Sequence, residues 1–194
     1  MGLLVRYEGA GTGNTVPYPP LHDEIRNNRG FVDLRGKPET AKTIAEGLEA
    51  PELQLLLVDL ATQGSPLFSL GCDIGAHRET RGAKGRREVA GGYVQVIGSD
   101  YAKLNSKDYL SHSKAIAADM RRQIGRDDWK ITFALVPVQL NLDDFNEIVP
   151  SVEIWFWARS ASPNDAVLSR QRLLNVLRKA LSMESNAQPK TYSP

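Results

Sequence analysis

Trp129-Lys130-Ile131-Thr132-Phe133-Ala134-Leu135-Val136 and, further on, Val152-Glu153-Ile154-Trp155-Phe156-Trp157-Ala158-Arg159 decide the fold. Both alternate large apolar side chains with smaller or polar ones, the period-2 mark of a strand with one buried face. Val152, Ile154, Phe156 and Ala158 share one side of the second strand. Between the two, Asn141, Asp143, Asp144, Asn146 and Glu147 read as a solvated acidic loop. It lacks the turn glycine and terminal glutamate of a hand-type calcium loop. A helix follows with clear punctuation: Ser162 as N-cap, Pro163 at the first position, Asp165 at the positive end, Arg178 and Lys179 in the closing turns. Val167, Leu174, Leu177 and Leu181 supply its buried side. Strand, loop, strand and helix commit the chain to an α+β fold.

Working backward, Ser106 caps a helix over 107–124 with the stripe Tyr109, Ser113, Ile116, Met120 and Ile124, closed by Gly125. Tyr93 to Ile97 reads as a strand, and so does Pro66 to Ile74, which Gly71 interrupts. Leu53 to Ala61 is short, nearly continuous in apolar residues and bounded by Pro51 and Gly64. It reads as a central strand covered on both faces. Pro38 to Ala50 reads as a helix with the stripe Ala41, Ile44, Ala45 and Leu48, ended by Pro51. Residues 1–37 are dense in glycine and proline and predict an extended arm; 183–194 form a polar tail without pattern. The expectation is one α+β domain over 38–182. Its order is helix, three strands, helix, two strands, helix, with a mainly antiparallel sheet of about five strands and helices on one face. An arm of this kind cannot bury itself, so it lies on its own domain or on a neighbour, and its removal is expected to leave the domain folded.

The totals restrict function. At 194 residues the chain suits one domain, which buries roughly 70% of the surface its unfolded form exposes. A net charge of +1 gives no global attraction to nucleic acid or acidic membranes. The single cysteine, Cys72, excludes an intramolecular disulfide. Met1-Gly2-Leu3-Leu4-Val5-Arg6 meets a charge too early for an export signal, and no apolar run approaches the ~20 residues a bilayer requires. The expected setting is cytoplasmic, or inside a particle assembled there, with no membrane partner.

No motif carries a specific mechanism. Gly9, Gly11 and Gly13 resemble a dinucleotide loop, but Asn14 occupies the third glycine position and no helix follows. Cys72, Asp73 and His77 are near neighbours in sequence, which is not yet the geometry of a nucleophile and its base. The element order also matches metal-dependent nucleases. Those need an Asp, which Asp73 supplies, and a Glu-x-Lys on the next strand, which Tyr93-Val94-Gln95-Val96 lacks. Three scattered histidines and one cysteine offer no metal ligand set, and no cofactor is expected.

The most informative segment is basic. Between 76 and 92, Arg78, Arg81, Lys84, Arg86 and Arg87 face only Glu79 and Glu88, a local net of +3, with glycines at 75, 82, 85, 91 and 92. It reads as the tip of a long hairpin. No aromatic is interleaved to stack a base, so any grip on nucleic acid is non-specific and salt-sensitive. Asp143, Asp144, Glu147 and Glu153 form a complementary acidic patch. If the two patches occupy opposite ends, copies can associate head to tail. The leading expectation is a non-catalytic subunit of a larger protein assembly, of the virion, tail or injection-machine kind, contacting neighbours through arm and hairpin. Nucleic-acid binding through residues 76–92 is second, and a small hydrolase or nuclease-like enzyme around Asp73 and His77 is third.

Overall fold

The structure, a computed structural model, describes residues 2–9, 13–22, 27–80, 86–123, 125 and 127–184. The chain is α+β, with a mixed six-stranded sheet. In order it runs β1 (Leu3–Gly9), β2 (Thr15–Val16), β3 (Leu21–His22), β4 (Asn27–Asn28), α1 (Pro38–Ala41), α2 (Ala45–Glu49), α3 (Pro51–Ala61), β5 (Leu67–Thr80), β6 (Arg86–Gly98), α4 (Ser106–Gln123), β7 (Asp128–Leu142), β8 (Phe145–Ser160) and α5 (Pro163–Glu184). The strand order is β1-β7-β8-β6-β5, with β2 also beside β7 and a separate β3–β4 ladder. β5–β6, β6–β8 and β7–β8 pair antiparallel, whereas β1 and β2 run parallel to β7.

Three expectations about this order are corrected. Leu53 to Ala61 is the helix α3, not a strand: Leu53, Leu56, Leu57 and Leu60 recur at helical spacing and are buried, while Leu55 is exposed. Pro51, taken as the end of one helix, opens the next at its first turn, where a missing N–H costs nothing. The region 38–50 is accordingly two short helices. The sheet is mixed rather than mainly antiparallel, because the glycine- and proline-rich segment contributes strands of its own.

Alternation along β8 sets the two faces. Val152, Ile154, Phe156 and Ala158 are buried and pair across with Leu135, Phe133, Ile131 and Trp129 of β7. α3, α4 and α5 cover this side. Trp129 Nε1 donates to Ser169 Oγ at 2.8 Å, Gly98 N–H donates to Tyr109 Oη at 2.8 Å, and Arg178 bridges α5 to Asp59 of α3. Leu173, Leu174, Leu177 and Leu181 of α5 are buried, each contributing about 2 kcal/mol of transfer free energy. The N-terminus of α5 is closed by Ser162 and Asp165: Asp165 N–H donates to Ser162 Oγ, whose hydroxyl donates back to Asp165. In α4 the capping oxygen belongs to Asn105, which accepts from the Lys107 and Asp108 N–H groups; Ser106 is already helical.

Residues 13–22 and 27–36 lie on their own sheet. Val16 pairs with Leu140 and is fully buried, Leu34 joins the same core, and the Tyr18 hydroxyl donates to Leu70 O at 3.1 Å. Arg35 reaches Asp143 at 2.7 Å and lies over the Phe68 ring. The segment thus crosses from β7 to β5 and covers one end of the face opposite the helices, where Val136, Val138, Leu140 and Val149 are buried. No described helix is long and apolar enough to cross a membrane.

Candidate functional site

Among the described residues the face opposite the helices is covered at only one end. Its other half is built from the residues that alternate with the core set: Glu153, Trp155, Trp157 and Arg159 of β8. Register places Tyr93 beside Trp155 and Gly91 beside Trp157 on β6, Thr132 and Lys130 beside the same tryptophans on β7, and Asp73 and Gly75 next in line on β5. The rings form a column. Tyr93 and Trp155 centroids are 4.8 Å apart, Trp155 and Trp157 stack at 5.7 Å with an 8° interplanar angle, and Lys130 Nζ sits 4.7 Å from the Trp157 centroid. Trp155 Nε1 donates to Glu153 at 3.0 Å, fixing the ring. A Cβ on Gly91 would lie 2.7 Å from Trp157 Cδ1 and 2.3 Å from Phe156 O, so only glycine admits this close approach. Leu4 of β1, 49% exposed, extends the apolar strip.

Two consequences follow from the column. The faces of Trp155 and Trp157 are taken by one another, by Tyr93 and by the ammonium, so the two tryptophans offer a partner their edges. Burial, with Arg6 and Arg159 nearby, holds the Lys130 ammonium below its ordinary lysine value.

On the column's face Arg87 donates to Asp128 at 3.0 Å and Arg159 to Glu79 at 3.0 Å, while Arg78, in the other phase of β5, donates to Glu88 at 2.5 Å. Arg81 and Lys84 lie outside the described residues, as does the side chain of Arg86, and so does the tail from 185 to 194. The expected acidic loop is a tight turn: Leu142 pairs with Phe145, Asp143 takes φ +55°, and Asn146 and Glu147 already belong to β8. Asp143 pairs with Arg35, Asp144 and Glu147 are exposed, and Glu153 belongs to the aromatic column instead. The turn and the Thr80–Arg86 end of the β5–β6 ladder lie toward opposite ends of β8, which spans roughly 50 Å at ~3.3 Å per residue.

Cys72 and Asp73 line a cleft of about 570 Å³ at the edge of β5, together with Tyr18, Glu46, Arg29 and Tyr93. His77 is not among its walls; its Nε2 lies 3.7 Å from Glu79 instead. Burial, then the charges of Glu46 and Asp73, push the Cys72 thiol up to about 12, so the thiolate a nucleophile needs is suppressed. Burial also raises the Tyr18 and Tyr93 phenols, with acids adding to it. A Cβ on Gly71 would lie 2.8 Å from Tyr18 Oη, so glycine there lets Tyr18 seat. Among the described residues no group of three or more His, Cys, Asp or Glu is placed to hold a metal ion.

The column was within reach of the sequence. Once Val152, Ile154, Phe156 and Ala158 are assigned inward, two tryptophans are left on a face that antiparallel sheets normally give to polar residues. Comparison of the chain with family models, with curated proteins and with solved structures found no match.

Proposed function

We propose that this chain is a non-catalytic interaction subunit that docks a protein partner on the uncovered half of its sheet. The observation that carries this reading is the Tyr93–Trp155–Trp157–Lys130 column standing on a face with no covering element among the described residues. Tryptophan and tyrosine held rigidly and half-buried are the side chains that dominate protein interfaces. The rim favours a protein over a nucleic acid. Arg87 and Arg159 each hold a carboxylate, and Glu8, Glu153 and Asp73 lie on the same face as Arg6 and Lys130. Such a mosaic of both signs matches a partner of mixed charge and gives little grip on phosphates. With the faces of both tryptophans taken, the column gives a base little to stack on. The protonated Cys72 and the separation of His77 from the cleft support a binding role over a chemical one.

The test is co-purification from the native source with the full chain, with Leu4→Lys, with Trp157→Ala and with Leu168→Lys as a control on the exposed helix side. Retention of the same protein by wild type and control, and its loss with both face variants, is the expected result. Equal retention by all four sinks the reading. Recovery of nuclease-sensitive material alone favours nucleic acid instead.

A further inference from the structure

The sheet ends at β5, and no described strand lies on its outer side. Its first residues are occupied: Tyr18 donates to Leu70 O, Ser65 Oγ to Leu67 O and Ser69 Oγ to Gly71 O. From Asp73 to Arg78 the strand is open, with Asp73, Gly75, Ala76, His77 and Arg78 exposed. Among the described residues no strand pairs with this outer edge, and its one outward side-chain cap is the Asp73 carboxylate on the Ile74 N–H; an edge of this length is a template for another strand.

The direction of those groups can be read. A Cβ on Gly92 of β6 would lie 2.1 Å from Asp73 O, so the Asp73 carbonyl points inward to β6. The N–H of Ile74, on the other side of the same trans peptide, therefore points outward, where the Asp73 carboxylate accepts it at 2.8 Å. Alternation then turns the N–H and C=O of Cys72, Ile74, Ala76 and Arg78 outward, while Asp73, Gly75 and His77 bond to β6.

We infer that a second copy of this chain pairs with the outer edge of β5, antiparallel and two-fold symmetric about Gly75. A two-fold axis normal to the sheet keeps each side chain on its own face, so partners must have the same parity. With the axis at Gly75, the outward-bonding Ile74 faces Ala76 of the other copy, which forms the hydrogen-bonded pair the backbone directions require. Asp73 faces His77 on the exposed face, twice by symmetry, and its carboxylate leaves the Ile74 N–H that it caps in the single chain. Cys72 faces Arg78, which brings a guanidinium to the mouth of the cleft that Glu46 and Asp73 line. Moving the axis one residue to Ala76 would set Asp73 against Glu79, acid against acid, and moving it to His77 would set histidine against itself. The Gly75 register sets the Asp73 carboxylate beside the His77 imidazole, a hydrogen-bonding pair, and leaves room at the axis, since a Cβ on Gly75 meets nothing within 4 Å. The edge borders the docking face through Asp73 and Gly75 but contains none of the stacked rings, so loss of the dimer on Ala76→Pro and loss of a partner on Trp157→Ala are separate outcomes.

Light scattering of the full chain at about 50 μM is expected to give twice the 21.4 kDa chain mass. Ala76→Pro removes only an outward N–H and is expected to give a monomer with unchanged far-UV circular dichroism, while Ala76→Val, which keeps the N–H, stays dimeric. The register has its own test that needs no loss of fold. In a Cys72→Ser background, Gly75→Cys places two thiols on the axis in a non-hydrogen-bonded pair, where Cα atoms approach to about 4.5 Å, within disulfide range. Mild oxidation is expected to link the chains nearly completely, and the exposed-site control Leu48→Cys is expected to stay unlinked. A monomer at 50 μM, a dimer that survives Ala76→Pro, or equal linking of the two cysteine variants overturns the inference.

Discussion

Val16→Ala tests whether the glycine- and proline-rich segment is part of the fold. Val16 is fully buried, pairs with Leu140 and belongs to the same apolar cluster as Val138, Ile154 and Phe156. Truncation removes two buried carbons, about 1.6 kcal/mol at ~0.8 kcal/mol each. If the void does not collapse, a cavity contribution of about 1 kcal/mol is added. The expected loss is therefore about 2 kcal/mol. With a urea m-value of about 2 kcal/mol/M, the unfolding midpoint falls by about 1 M. Tryptophan fluorescence reports the transition directly, since Trp129 sits in the core and Trp155 and Trp157 on the column. Val32, in the same segment but 39% exposed, is the matched control, and Val32→Ala is expected to stay within about 0.5 kcal/mol of wild type. Equal midpoints for Val16→Ala and Val32→Ala would refute the placement and return the segment to the status of a removable arm.

Two further outcomes follow from the cleft. The Cys72 thiol is pushed from 9.0 up to about 12, so at pH 8 its thiolate fraction falls about a thousandfold below that of an unburied cysteine. Iodoacetamide labelling of the folded protein is expected to slow by that factor, to rise about tenfold per pH unit toward 12, and to become fast in urea; rapid labelling at pH 8 without denaturant contradicts the burial. Gly71→Ala drives a Cβ against Tyr18 Oη and is expected to cost about 1–2 kcal/mol through the Tyr18–Leu70 hydrogen bond. In a Tyr18→Phe background, urea titration is expected to show that cost shrink, and strict additivity of the two changes would exclude the contact as its cause.

Local signals were legible where one physical effect governs a stretch. β7, β8 and α5 follow their periodicity and caps because each has one buried side and clear ends. α3 was hidden by Leu55 and Val58, which fill in the helical stripe of Leu53, Leu56, Leu57 and Leu60 until it looks continuous. Pro51 added to the confusion, since proline both forbids continuation and suits a first turn. The parallel partners of β7 were out of reach, because pairing of Leu3 with Trp129 is specified by tertiary contacts and not by either segment alone. The aromatic column was half legible: the leftover phase of β8 names Trp155 and Trp157, but Tyr93 and Lys130 join them only through cross-strand register. Sequence gives the basic segment only its net charge; the engagement of Arg87 depends on Asp128 arriving from a distant strand, and that of Arg78 on the β5–β6 register that brings Glu88 opposite it.

The parallel β1–β7 ladder also has a meaning for biosynthesis. β1 has its ladder partner about 126 positions downstream, so at ~5–20 residues per second it spends roughly 6–25 seconds after synthesis with its ladder groups unpaired. Val16, whose partner Leu140 emerges later still, shares that delay. Completion of the sheet is thus a late, long-range event, and a chaperone that holds β1 and β2 extended until β7 appears would raise the yield of native chain without touching its final stability.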